Sequence, residues 1–152
     1  MLLIFSVKNK KSKKKVKSKI TTSKKEKILR NFLLFTVTVM NAVTGVESLN
    51  EAKQVISRIN NDIPDSSKSK KFSESAKEIL SLIAKNNKTD VFSLLLLMYQ
   101  IFDRIKESYL VILGRDKLTT AELKKMNIDS VIQNALSRGM NFLIKNNSFK
   151  KI

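Results

Sequence analysis

Apolar residues recur at helical spacing through residues 46–152. In the first such stretch they share one helical face, which comprises Leu49, Ala52, Val55, Ile56 and Ile59. Ser48 and Glu51 have the spacing of a capping box, in which the side chain of each residue accepts a hydrogen bond from the backbone N–H of the other. The pattern predicts a helix that ends before Pro64, because the residue preceding a proline resists the helical conformation.

Two more amphipathic segments follow. The pattern predicts a loop over residues 62–70, a second helix from about Phe72 to Lys85, and a third of about 24 residues that Thr89 or Asp90 caps and that ends at Gly114. The first half of this third helix is apolar on every side, which is typical of the centre of a bundle. A membrane span is the rival interpretation, but the uncharged run over residues 91–102 is shorter than the roughly 20 residues that a bilayer requires.

The remaining pattern completes an all-α prediction. Thr119 or Thr120 is expected to cap a short helical turn, and a last strong helix is expected to begin at Ile128. Gly139 interrupts that helix at a cost of about 1 kcal/mol relative to Ala, and it either permits the close approach of a neighbouring helix or is neutral. Residues 46–152 are therefore predicted to form a small helical bundle of about four main helices.

Residues 1–45 differ from this bundle in composition. Residues 8–25 carry ten lysines and no acid, and like charges this close together predict a flexible basic arm. Of the chain's net charge of +17, residues 1–45 contribute +11. Part of the lysine excess could equally reflect codon bias, because Lys, Asn and Ile are abundant together, as in AT-rich genomes.

The segment that joins the arm to the bundle permits three interpretations. Residues 32–46 form an uncharged, mostly apolar run that follows lysines and ends in small residues, the order found in an export signal. The best cut would follow Gly45. A retained membrane anchor is the second interpretation, although the run is short for a span. The third is a core helix, because Phe32, Phe35, Val39 and Val43 recur at helical spacing. The export signal is the preferred prediction.

The residue types present disfavour an enzyme. The chain has no Cys and no His, so the commonest thiolate and imidazole nucleophiles, bases and metal ligands are missing. Glycine-rich phosphate loops and catalytic serine motifs are also missing. Glu74 and Glu78 lie one helical turn apart but beside lysines, as on a solvated face. We predict no catalytic residue, no metal site and no cofactor.

Lysine clusters are the remaining candidate binding residues. The basic arm would attract any polyanion, whether nucleic acid, anionic lipid or glycosaminoglycan, but it has no aromatic residue with which to select bases. If the arm is cleaved, polyanion sites could remain at clusters in the bundle, which are Lys68, Lys70, Lys71, Lys124, Lys125, Lys150 and Lys151.

The layout resembles that of the small exported, all-helical surface proteins of Lyme-type spirochaetes. The parts that carry the resemblance are "KKEKILRNFLLFTVTVMNAVTG", the Lys-, Asn- and Ile-rich helical domain after it, and the tail "IKNNSFKKI". The resemblance implies a non-enzymatic protein, exported to the periplasm, outer membrane or cell surface, that binds host matrix, glycosaminoglycan or complement components. Many such proteins carry a lipidated Cys, which this chain lacks. The resemblance assigns no binding residues to this chain.

The first functional hypothesis is therefore an exported binding protein whose mature part is residues 46–152. The alternative is a cytoplasmic protein that binds nucleic acid or the inner membrane surface through residues 8–25. A third possibility is an inner-membrane protein anchored by residues 32–46, with its lysines on the cytoplasmic side. Sequence alone does not identify the ligand or the oligomeric state.

Overall fold

The computed structural model describes residues 22–86 and 90–145, and these form helices without any strand. These residues contain six helices in sequence, which are α1 (Thr22–Val43), α2 (Leu49–Asp62), α3 (Ser66–Ala84), α4 (Val91–Leu113), α5 (Thr120–Met126) and α6 (Ile128–Lys145). The predicted all-α class is confirmed. The described bundle contains five helices of 14 residues or more rather than four, because residues 22–43 form a helix that packs with the rest.

Helix α1 lies at the centre of the bundle and contacts α2, α4 and α6. Ten of its residues are buried, namely Ile28, Leu29, Phe32, Phe35, Thr36, Thr38, Val39, Met40, Asn41 and Val43. The ring of Phe32 packs edge-on against Phe72 of α3 at 5.4 Å and against Tyr109 of α4 at 5.2 Å. This geometry is the favourable one for aromatic pairs, and it ties three helices together.

The buried threonines inside α1 are compatible with burial because the helix itself accepts hydrogen bonds from their hydroxyls. The hydroxyls of Thr36 and Thr38 each donate to the carbonyl four residues earlier, at 2.8 Å. The backbone carbonyl of Asn41 accepts from the backbone N–H of Val46 at 2.8 Å, which satisfies a carbonyl at the C-terminal end of the helix. Gly45 then adopts φ +83°, a left-handed conformation that glycine reaches without strain. Within this fold, Gly45 serves as the turn that ends α1.

Local signals place most of the other helix ends where the sequence predicts them. Asp90 caps α4 by accepting from the backbone N–H of Ser93 at 2.9 Å, and Gly114 ends the helix in the left-handed conformation. Thr119 caps α5 in a full capping box with Glu122.

The predicted loop over residues 62–70 is wrong in its second half. Helix α3 already begins at Ser66, because the Asp65 carboxylate accepts from the backbone N–H of Ser67 at 2.9 Å and caps the helix. Its first turn is also joined to α2, where the side-chain carbonyl of Asn60 accepts from the Ser69 hydroxyl at 3.1 Å. Residues 66–70 are thus helical although their sequence lacks apolar spacing, because Asp65 caps the helix and a side-chain hydrogen bond joins its first turn to α2.

Gly139 permits a close approach, as the sequence suggested. A Cβ at this position would lie 2.4 Å from the Cβ of Thr44, at the turn after α1, which is closer than two carbons can approach. The contact fixes α6 against the C-terminal end of α1, and glycine is the residue that fits.

We expect Gly139→Ala to destabilise the protein by about 2 kcal/mol, since overpacking typically costs 1–3 kcal/mol and outweighs the gain in helix propensity of about 1 kcal/mol. Urea unfolding would measure the change. The double variant Gly139→Ala/Thr44→Gly, which removes the opposing Cβ, should recover part of the loss. An increase in stability for Gly139→Ala alone would show that the two elements do not pack this closely.

Candidate polyanion-binding surface

The N-terminal end of α1 is basic where helix formation would favour acids. Its first turn contains Lys24 and Lys25 and no acidic residue, although the helix dipole favours anions at this end. Lys25 and Arg30 are exposed, while Leu29 between them is buried. Lys24 and Lys25 therefore do not stabilise the helix that carries them, whereas Arg30, four residues after Glu26, has the spacing of a stabilising pair.

Lys125 of α5 lies beside this basic end. Together with Glu26, Leu29, Arg30 and Leu33 of α1, it lines a groove of about 370 Å³. Lys124 and Lys125 occupy the last turn of α5, where the helix dipole favours cations. Stabilisation of α5 is therefore enough to explain why lysines stand at these positions. The tertiary fold nevertheless brings Lys125 and Arg30, which are far apart in sequence, to one surface.

Part-buried polar contacts join α5 to α4 and to the loop that follows α4. The Glu122 carboxylate accepts from the Tyr109 hydroxyl at 3.0 Å and from Arg115 at 2.5 Å. Burial works to raise the pKa of Glu122, but hydrogen bonds from the Thr119 N–H, Arg115 and Tyr109 outweigh it and lower that pKa. Burial, and then the Glu122 charge, raise the pKa of Tyr109. Glu122 is therefore ionised at neutral pH and fixes the position of α5 and its lysines.

A buried carboxylate joins the basic end of α1 to α2. Asp62 accepts from the Asn31 amide at 2.7 Å and pairs with the Lys27 ammonium at 3.3 Å. The Asp62 side chain is only 8% exposed, whereas that of Lys27 is 57% exposed. Part of the Lys27 charge is thus compensated by Asp62, which leaves Lys25, Arg30 and Lys125 as the principal cations of this region.

The other predicted lysines have different surroundings. The Lys68 ammonium donates to the carbonyl of Ile112 at 3.2 Å and so satisfies a carbonyl at the C-terminal end of α4. Lys70 and Lys71 are exposed on α3, and Lys71 lines a groove of about 390 Å³ that also contains Glu74, Glu78 and Glu107.

Lys150 and Lys151 lie outside the described residues, as does most of the arm over residues 8–25. The structure therefore groups Lys125, and not the lysines of α3, with the basic end of α1. Sequence reasoning missed Arg30, because it treated the residues around Arg30 as the start of an export signal.

Two exposed acidic residues of the described surface pair with neighbouring cations. Glu78 accepts from Arg104 at 2.6 Å across α3 and α4, and Asp103 pairs with Lys106 at 3.3 Å. Within residues 22–86 and 90–145, no group of three or more His, Cys, Asp or Glu side chains could hold a metal ion. In the same ranges, every helix is too short or too polar to cross a membrane.

Comparisons with known proteins add no relative to this picture. No protein-family model matches the chain, and no curated protein or solved structure matches it. The resemblance to spirochaetal surface proteins therefore remains an expectation from layout and composition, and the functional argument depends on the chain's own residues.

Proposed function

We propose that this chain is a non-enzymatic helical protein that binds polyanions through one continuous basic region. This region, which we call the basic end, consists of the arm over residues 8–25, of which Lys25 is the last lysine, together with the exposed Arg30 of α1 and Lys124 and Lys125 of α5. The observation that carries the proposal is the position of α1. The arm leads in sequence into a core helix, and the cation Arg30 of that helix lines one groove with Lys125 of α5.

Electrostatics support this choice over catalysis or small-molecule binding. A run of like charges has its largest effect on an extended anion, which can contact many lysines together and release its counterions. The described grooves are open and lined by charged side chains, whereas pockets for small molecules are mostly enclosed and apolar.

Export to the cell envelope or surface belongs to the same proposal but places a condition on it. A cut after Gly45 would remove α1 together with its ten buried residues. We therefore propose that an exported form with this fold retains residues 22–45, and that host glycosaminoglycan, matrix or complement components would meet the basic end intact. A cytoplasmic form would present the same region to nucleic acid or to the inner membrane surface.

Binding to heparin, followed by calorimetry at 50 and 200 mM salt, tests the proposal. We expect the full chain to bind at low salt and to lose at least tenfold in affinity at high salt, because each phosphate or sulfate contact releases counterions. Deletion of residues 1–21, which leaves α1 whole, should remove most of the binding.

Matched substitutions on the described surface locate the remaining affinity. Arg30→Gln/Lys125→Gln should weaken heparin binding by about thirtyfold, since each cation near an anionic surface contributes about 1 kcal/mol. Lys77→Gln/Lys85→Gln removes the same charge from exposed positions on α3 and at its C-terminal cap, and should have little effect. If both pairs weaken binding equally, net charge alone is responsible and the basic end has no special role.

A further inference from the structure

The first half of α4 leaves a stripe of large apolar side chains in solvent. Phe92 is 58% exposed, Leu96 53% and Tyr99 41%. These residues are spaced by three or four, so they follow one another along one face of the helix and form a ridge on it. The Tyr99 hydroxyl donates to Asp129 of α6 at 2.5 Å, which fixes its ring on this surface. An apolar patch that the bundle itself does not cover is typical of an interface.

The second half of the same face borders a groove instead. This groove has a volume of about 460 Å³, and its apolar lining comes from Leu110 of α4, Leu118 of the loop after it and Leu123 of α5. Leu123 is 48% exposed, so the groove presents apolar surface to solvent. Leu110 follows Leu96 by almost four helical turns, which places the groove and the ridge along the same face of α4.

A ridge and a groove at opposite ends of one helix face fit a second copy of the chain turned by a twofold rotation. In such a pair the two copies of α4 run antiparallel, so the ridge of each copy lies over the groove of the other. When position 103 faces position 106 of the other copy, position 99 faces position 110. This register places Tyr99 and Leu96 at the groove that Leu110 lines.

The charges at the centre of the face suit the same arrangement. Asp103 and Lys106 lie between the ridge and the groove, where they pair within the chain at 3.3 Å. The Asp103 side chain is 68% exposed and thus open to a second cation. In the antiparallel pair each Asp103 meets the Lys106 of the other copy, so the four charges around the twofold axis alternate in sign. The face is therefore complementary to itself in charge as well as in shape.

We propose that this protein forms a symmetric dimer through the exposed face of α4, in which Leu96 and Tyr99 of each copy occupy the groove beside Leu110 of the other. The dimer goes beyond polyanion binding and does not depend on it, because this groove shares no lining residue with the groove of Arg30 and Lys125. A helix face about 35 Å long is modest beside a standard interface of roughly 1,600 Å². We therefore expect a weak dimer, with a Kd of about 10–100 µM.

Sedimentation velocity of the full chain over about 5–500 µM tests the proposal. We expect a shift from monomer to dimer across this range. Leu96→Gln should weaken dimerisation by at least about tenfold, because the twofold axis places the substitution in the interface twice. Val111→Gln is the matched control, since Val111 is 45% exposed on the same helix but lines a different groove, between α3 and α4. This variant should dimerise like the unchanged protein.

Two charge reversals test the antiparallel orientation. Asp103→Lys places like charges across the axis and should weaken dimerisation by about tenfold, and Lys106→Asp should do the same. An equimolar mixture of these two variants restores opposite charges between the copies and should therefore recover dimers. Because the pair within each chain stays broken in both variants, recovery in the mixture reports contact between copies.

A full chain that stays monomeric at about 500 µM would overturn the dimer and leave polyanion binding standing, because heparin titration tests that function separately. Equal weakening by Leu96→Gln and Val111→Gln would overturn the assignment to this face of α4. A mixture of the charge variants that stays monomeric would overturn the antiparallel arrangement. Leu123→Gln, which alters the groove rather than the ridge, should also weaken dimerisation and decides the question if Leu96→Gln fails to fold.

Discussion

A fragment of residues 46–152 is expected to remain unfolded under conditions in which residues 22–152 fold cooperatively. The difference is α1, whose five large apolar side chains of zero exposure are Ile28, Phe32, Phe35, Val39 and Met40. Burial of each contributes about 1.5–3 kcal/mol, so together they are comparable to the whole net stability of a typical domain, about 5–15 kcal/mol. Far-UV circular dichroism with thermal melting would measure both chains.

The control in this comparison is the longer fragment, which lacks the arm but keeps α1. A cooperative transition for residues 46–152 close to that of residues 22–152 would contradict the central position of α1. The same question can be put to the protein in its native host by N-terminal sequencing. We expect the mature chain to retain α1; a chain that begins at Val46 would show that the fold described here is not the mature one.

Local chemistry made much of the fold predictable. The caps at Asp90 and Thr119 and the left-handed glycine at position 114 depend on residues within one helical turn of each other, and sequence displays such residues side by side. The amphipathic face of α2 was similarly readable, because spacing along a helix determines which side chains share a face. The first half of α4 was not, because it is apolar on every side and yet leaves Phe92 and Leu96 exposed.

The role of α1 was not predictable in this way. An uncharged run that begins at Phe32 has the composition of an export signal, an anchor or a core helix, and the difference lies in what surrounds it. Only the folded chain brings Phe72 and Tyr109 to Phe32. Thr36 and Thr38 added to the ambiguity, because hydroxyls that seem too polar for an apolar environment donate to their own helix.

The candidate surface shows the same division. Sequence identified Lys124 and Lys125 from their charge, but it had no means of placing Lys125 beside Arg30, because the two meet only through tertiary packing. It also counted Lys68 as a ligand-binding residue, whereas the structure has this lysine donating to Ile112, 44 residues away. Charge runs show how many cations are present, and the fold determines which of them share a surface.

Phe32→Ala is expected to be among the most damaging single substitutions in the described bundle, with a loss of about 3–5 kcal/mol in the free energy of unfolding. The side chain is fully buried, and its removal leaves a cavity between three helices as well as two lost aromatic pairs, with Phe72 and with Tyr109. Urea unfolding followed by circular dichroism would measure the loss.

Two further variants of α1 serve as controls for this measurement. Leu34→Ala removes an apolar side chain two residues away on the exposed face of α1 and should cost less than about 1 kcal/mol. Phe32→Leu keeps most of the buried volume and should cost less than Phe32→Ala. An export signal or anchor that does not pack with the bundle would tolerate Phe32→Ala as readily as Leu34→Ala. A clear difference between these two variants therefore measures, in free energy, how far α1 belongs to the core.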